Sequence, residues 1–144
     1  MPIGSNGPTA LPAASGEGFE VDALPVPHGP VPTLAFRLRR GDTTLVFASD
    51  QNGSDPTLVD FAHDADLLVM HMAIPSDADP VARNLHATPE KIGAIAQAAG
   101  AKTLLLSHFM ARSLANLDDN VAIVRSQYSG RVIIAEDLTC FPDL

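Results

Sequence analysis

The sequence predicts an α/β fold, a layer of helices packed on a sheet that is buried over most of its width. Two observations carry this. Short β-rich apolar runs alternate with helix-period segments from Pro56 to Asp137, and regular alternation of that kind is the mark of parallel strands joined by crossover helices. The 144 residues, 46% of them hydrophobic, are also enough for one domain with its own core.

Residues 1–18 come first and read as a flexible arm or linker. Pro, Gly, Ala and Ser dominate them, and such a stretch buries too little apolar surface to offset the entropy of ordering it. The folded unit is expected over 19–144. It begins with three runs rich in strand formers, FEVDALPV, PTLAFRLRR and TTLVFAS. Pro and Gly signals separate them, and the last two should form a hairpin about Arg40-Gly41-Asp42. Alternation follows: PTLVDFAHDA as helix, DLLVMHM as strand, TPEKIGAIAQAAG as helix, KTLLLSH as strand, RSLANLDDNVAIVRSQY as one helix and RVIIAED as strand. The clearest helix starts at Thr88, with Pro89 in its first turn and Glu90 close behind. Ile92, Ile95, Ala96 and Ala99 share one face, and Gly100 ends it. There is no internal repeat.

The formal net charge is −8, from 17 acids against 9 bases, and such a field repels phosphate backbones unless a metal or a local patch reverses it. Nucleic acid is therefore not an expected partner. No stretch approaches the roughly 20 consecutive apolar residues of a membrane-spanning helix, so no membrane role is expected. Residues after Met1 lack the charged start and apolar block of an export signal. Cytoplasmic life is the default, with periplasmic life if a signal segment lies upstream. Cys140 is the single cysteine, which rules out an internal disulfide; with no base or second thiol nearby in sequence, it reads as a buried or half-buried structural residue.

The chemistry should sit where strands end. His28 follows LPVP, Asp50 follows LVFAS, His71 lies in LLVMHM and His108 follows TLLLS. In layered α/β folds the carboxyl ends of the strands hold side chains rigidly while loops admit ligand. Imidazole nitrogen and carboxylate oxygen are the usual ligands of zinc and related divalent ions. Each residue also has a plain structural reading: a lone strand-end histidine is commonly just hydrogen-bonded, and Asp50 before Gln-Asn-Gly suits a turn. His63, in FAHDAD, reads as a solvated helix residue. Phe109, Met110, Met70 and Met72 suit either a pocket wall or the core.

Three segments carry a resemblance. HGPVPTLAFRLRRGDTTLVFASD, ADLLVMHMA and LHATPEKIGAIAQAAGAKTLLLSHF resemble, in order and spacing, the C-terminal half of ribonuclease Z-like hydrolases of the metallo-β-lactamase fold, over about residues 19–141. The resemblance implies one αβ half of an αββα sandwich. It implies that His28 ligates one metal, that His108 ligates another and that Asp50 bridges them. His86, in HATPE, takes the place of a histidine that donates a proton to the leaving group, so Asp50 and His86 are the implied catalytic pair. The metal implied is divalent, zinc first, with manganese or iron as alternatives and one or two ions held.

Two departures stand out. Where the family often presents a His-Glu pair, this chain reads Met70-His71-Met72, which leaves His71 as the partner expected to stand behind the ligands and orient them. The family's His-x-His-x-Asp-His cluster, the source of most ligands, has no counterpart here. The implied activity is hydrolysis of an ester, phosphodiester or lactone by metal-activated water, incomplete in this chain alone. A half-sandwich exposes an apolar sheet face, so a homodimer or a second chain is expected to cover it. The alternative is a non-catalytic metal-binding or interaction module that retains half the fold.

Overall fold

The computed structural model describes residues 9–141. Seven strands form one sheet whose spatial order follows the chain: β1 (Leu11–Gly16), β2 (Phe19–Val26), β3 (Thr33–Arg40), β4 (Thr43–Phe47), β5 (Leu67–His71), β6 (Thr103–Ser107) and β7 (Arg131–Ile134). β1 to β4 run antiparallel as a meander, and β4 to β7 run parallel. The change follows from what joins the strands. Two residues, Gly41 and Asp42, connect β3 to β4, and Gly41 supplies the positive φ of 56° that so tight a hairpin asks of its turn. The parallel strands need long crossovers, and helices supply them: α1 (Thr57–Phe61), α2 (Pro80–Leu85), α3 (Pro89–Ala99), α4 (Ala111–Leu114) and α5 (Leu117–Gln127).

Helix α3 begins and ends where the sequence places it. Thr88 is its N-cap, although the hydroxyl makes no capping bond, and Gly100 closes it in the left-handed region at φ 66°. Ile92, Ile95, Ala96 and Ala99 are all buried. Gly93 lets α5 approach closely, since a Cβ there would meet the Val124 carbonyl oxygen at 2.6 Å. The single helix expected over 112–128 is instead two, α4 and α5, broken at Ala115 and Asn116. Ser113 and Asn120 explain the break: both are buried, and the Asn120 amide donates to the Ser113 carbonyl across it.

Strand alternation sorts the sheet into two faces. Leu24, Ala35, Val46, Leu68, Met70, Leu104 and Leu106 point to one face, where they join Leu58, Phe61, Ile92, Ala96, Val121 and Val124 of the helices in one core. Each fully buried leucine contributes about 1.5–3 kcal/mol there. Leu34, Phe36, Phe47, Val69, Leu105 and Ile133 point the other way, as their cross-strand pairings require. No described helix packs on that side, and Leu34, Phe36 and Phe47 are 44%, 39% and 43% exposed. The helices thus cover one face, while the other is apolar and partly open: Leu67 and Leu105 on it are buried, but its margin at Leu34, Phe36 and Phe47 is exposed.

Two expectations change. Composition placed residues 1–18 in an arm, but Leu11–Gly16 form β1, paired with β2 in the registers Leu11↔Ala23 and Gly16↔Phe19. All six residues of β1 are exposed. An edge strand of this kind is held by main-chain hydrogen bonds rather than side-chain burial, so composition gives no sign of it. Residues 1–8 of the expected arm lie outside the described residues. Cys140, expected to be buried or half-buried, is exposed, because the chain after β7 runs over the surface.

Candidate metal centre

Four of the five histidines and Asp50 meet at the carboxyl edge of the sheet. His28 follows β2, Asp50 follows β4, His71 ends β5, His86 caps the C-terminus of α2 and His108 follows β6. His86 Nδ1 and Asp50 Oδ1 are 3.9 Å apart, His28 Nε2 and Asp50 Oδ2 are 3.9 Å apart, and His108 Nε2 lies 3.4 Å from the same Oδ2. His28, Asp50 and His86 each offer a ligand atom, all within 4.8 Å of one another. His63 stands apart and exposed, its ring beside Asp64; it is solvated as expected, but it lies in the turn after α1 and not on the helix, which ends at Phe61.

The strand ends are bent to make this possible. Ser49 and His108 both adopt positive φ, 55° and 51°, a conformation that costs a residue with a side chain on the order of 1–2 kcal/mol. Such strain collects at functional sites, where surrounding contacts hold it in place. The two residues lie just before Asp50 and at the final histidine.

Hydrogen bonds fix the rings one by one. His28 Nδ1 lies 2.7 Å from the Leu85 carbonyl oxygen, which can only accept, so Nδ1 carries a proton and Nε2 is the nitrogen turned toward Asp50. His71 is satisfied on both sides. Its Nδ1 donates to the Ser49 carbonyl, and its Nε2 accepts from the Ala87 N–H. That amide is shared with the Gln51 carbonyl. Burial, partly opposed by the Ser49 hydrogen bond, pushes the His71 imidazole down to about 4, so it is neutral near pH 7. His71 is thereby a pin between the residue before Asp50 and the residue after His86.

His86 is the opposite case. It is buried, and its Nδ1 has no hydrogen-bond partner among the described residues. Burial holds its imidazole below the usual histidine range, with Asp50 pulling the other way. Rings of His28, His71 and His108 surround it at centroid distances of 5.1, 5.3 and 6.2 Å. An orphaned buried nitrogen aimed at a carboxylate 3.9 Å away is too far for a hydrogen bond and well placed for a shared ion. Two ligands on one tetrahedral ion with bonds of roughly 2.1 Å lie about 3.4 Å apart. The donor set, imidazole nitrogens and a carboxylate, is that of zinc, manganese and iron sites.

The geometry adds two points to the sequence reading. His28 and His108 both face Oδ2 of Asp50, while Oδ1 faces His86. His86 thus stands among the residues that could hold a metal ion, a place the sequence reading did not give it. Sequence reading had no view of helix α2, whose C-terminal carbonyls orient the site; Pro80 one residue after an aspartate was its one signal, since Asp79 caps α2 by accepting from the Ala82 N–H. Of the four apolar residues near the site, Met70 and Met72 are core, Phe109 packs against the core and Met110 is exposed.

A pocket at this edge is lined by Phe47, Ser49, Asp50, Val69, His71, Ser107 and His108. Phe47 and Val69 belong to the open sheet face, so the centre opens onto that face. One αβ layer with a histidine–aspartate cluster at the strand ends, facing a partly open sheet, defines half of a two-layer metallo-β-lactamase sandwich. The chain belongs to the β-lactamase superfamily domain family, whose model matches residues 1–109.

Relatives agree. Ribonuclease Z of Thermobifida fusca is 31% identical over 137 residues, 94% of this chain and 42% of the relative. Ribonuclease Z of Mycobacterium tuberculosis is 30% identical over 140 residues, covering 90% and 50%. The crystal structure of the metallo-β-lactamase fold protein YhfI from Bacillus subtilis superposes with a TM-score of 0.75 at 30% identity, over 88% of this chain and 50% of that one. Human tRNase Z, short form, shares the fold at a TM-score of 0.70 and 23% identity. The chain spans about half the length of these relatives. The expectation that nucleic acid is no partner is weakened by these matches, since the curated relatives include several named ribonucleases. No helix among the described residues is long and apolar enough to cross a membrane.

Proposed function

We propose that this chain is the C-terminal αβ layer of a metal-dependent hydrolase, with His28, Asp50 and His108 as metal ligands and His86 beside them. The observation that carries this reading is the convergence of His28 Nε2, Asp50 and the unpartnered His86 Nδ1 on one point at the strand edge. Zinc fits the donor set best, with manganese or iron as alternatives. A bound divalent ion supplies a water made nucleophilic at neutral pH and a positive charge for a developing oxyanion.

The chain's own residues do the rest. Asp50 offers Oδ2 to the His28 and His108 side and Oδ1 to His86, so one carboxylate addresses all three rings. His28 is held as a ligand by the Leu85 carbonyl, because a histidine that donates its far nitrogen to a carbonyl is fixed in tautomer and orientation. His71 fixes the backbone on both sides of the cluster. His86 stands where it can add a ligand or pass a proton to a leaving group. The bond cleaved is that of an ester, a phosphodiester or a lactone, and relatives named ribonuclease Z put RNA phosphodiesters among the substrates to test.

The reading requires a second αβ layer to cover the open face and to supply the ligands that no motif here provides. The alternative is a metal-binding module without turnover, favoured by the absence from this sequence of a His-x-His-x-Asp-His cluster. Metal content per chain, measured with mass in solution and with hydrolysis of phosphodiester, ester and lactone probes, separates the two. Metal uptake with turnover that disappears in Asp50→Ala and His108→Ala supports the hydrolase. Uptake without turnover in any assembled state selects the module. Absence of metal binding removes both.

A further inference from the structure

The groups that face one another in this centre come from three segments that no strand pairing joins directly. His28 follows β2, Asp50 follows β4 with β3 lying between those strands, and His86 ends α2. Their mutual spacing therefore depends on loop contacts. We propose that Asn52 is the positioning residue that sets this spacing.

Asn52 reaches both other segments at once. Its N–H donates to the Pro27 carbonyl at 2.9 Å, next to His28. Its side-chain Nδ2 donates to the Asn84 carbonyl at 2.9 Å, two residues before His86. Its Oδ1 accepts from the Ser54 N–H at 3.0 Å, which orients the amide so that the donor end meets Asn84. Its own carbonyl accepts from Lys91 Nζ at 3.0 Å. Since His28 Nδ1 also donates to the Leu85 carbonyl, the three segments close a triangle; Asn52 supplies a main-chain bond on the His28 side and a side-chain bond on the His86 side, where the Ala87 N–H bond to the Gln51 carbonyl and His71 also act.

The chemistry of the side chain matters as much as its place. A short amide offers a donor and an acceptor on one rigid group, so it completes the turn at Ser54 and the bond to Asn84 together. Aspartate has the same shape and keeps the turn, but it would set a carboxylate oxygen against the Asn84 carbonyl. Alanine loses both bonds. Asn52 touches no ligand atom, so it acts through the loops and not on the metal. Outer partners that orient ligands typically change metal affinity by about 10–100-fold when removed.

This inference rests on the metal-binding reading for one of its two readouts. Cobalt(II) is titrated into the wild-type chain, Asn52→Ala, Asn52→Asp and Lys91→Ala, with affinity and the visible ligand-field spectrum recorded. In parallel, contacts between the Asp50 Hβ protons and the His86 ring protons are followed by NMR in the metal-free proteins. Asn52→Ala and Asn52→Asp should bind cobalt about 10–100-fold more weakly, with an altered spectrum, and should lose the ring contacts while melting within a few degrees of wild type. Lys91→Ala should match wild type throughout. If both Asn52 variants keep the ring contacts, the inference is overturned, whatever the metal does. A wild-type chain that takes up no cobalt sinks the metal reading and leaves the ring contacts to decide this one. If Asn52→Ala and Asn52→Asp fail to fold, Asn52→Gln takes their place: it keeps the amide but displaces it by one methylene, and unchanged ring contacts there would also overturn the claim.

Discussion

The parallel strands β4, β5 and β6 carry polar groups at both edges of the sheet, and the two edges are finished differently. At the amino edge Asp66 accepts from the Thr44 N–H at 2.7 Å and from Lys102 Nζ at 2.6 Å, while its own N–H donates to the Thr44 carbonyl. Lys102 N–H in turn donates to the Ala65 carbonyl. Each of these groups has a partner inside the chain. At the carboxyl edge Asp50 faces three imidazole rings at 3.4–3.9 Å, its carboxylate makes no hydrogen bond among the described residues, and His86 Nδ1 is buried without a partner.

The same strands thus end in a closed network on one side and an open one on the other. A closed network serves stability, and unpaired buried polar groups cost about 1–3 kcal/mol each unless something else satisfies them. That cost is tolerable when a ligand repays it, which is why unfinished edges mark sites. Between the edges lies a shared apolar core, and it sets the largest effect. Leu106→Ala empties a fully buried position in the strand that leads to His108, and should lower unfolding free energy by about 2–5 kcal/mol in denaturant melts. Both edges would loosen together, and a loss much below that range would mean the core does not bind the edges to one another.

His71 sharpens the contrast, since it is the one member of the carboxyl-edge cluster that is satisfied. His71→Leu leaves the Ser49 carbonyl and part of the Ala87 amide unpaired and should cost about 1–3 kcal/mol. It should also separate His86 from Asp50, seen as lost contacts between His86 and its neighbours by NMR. A variant as stable as wild type with an intact cluster would assign His71 no positioning part.

Asp66 gives a smaller effect with a pH signature. The Lys102 hydrogen bond and then the Thr44 N–H hold its carboxyl below the usual value of 3.8. A carboxyl with a depressed folded value stabilises the fold above its unfolded pKa, and that stability is lost as pH falls through the folded value. Asp66→Ala should therefore lower Tm by on the order of a few degrees near neutral pH, and the gap to wild type should close below about pH 3.8. His63→Ala is the smallest change: an exposed ring beside an exposed carboxylate should move stability by less than about 0.5 kcal/mol.

Much of this was legible in the chain because the features are local. Helix α3 announced itself through Pro89, its apolar face and Gly100, and the hairpin through Gly41. The strand-end residues His28, Asp50, His71 and His108 were found because an apolar run that stops at a histidine or an aspartate places it at a sheet edge. Strand β1 was not legible: its six exposed residues are held by main-chain bonds, which leave no apolar pattern to read. Helix α2 is too short for periodicity to show. The nearness of His86 Nδ1 to Asp50 and the part played by Asn52 depend on loops separated by tens of residues, and no local pattern encodes such distances.

The central claim, that the carboxyl edge is unfinished because it awaits a metal, comes down to Asp50. Zinc is titrated calorimetrically into metal-free wild-type chain and Asp50→Ala, with the thermal stability of both metal-free proteins recorded. Saturable binding to the wild type is expected, weakened at least about 100-fold by Asp50→Ala, as befits loss of a ligand rather than of an outer partner. The metal-free variant should be no less stable than wild type, since the carboxylate it loses made no hydrogen bond. Equal zinc binding by the two proteins, or none by either, would contradict the account.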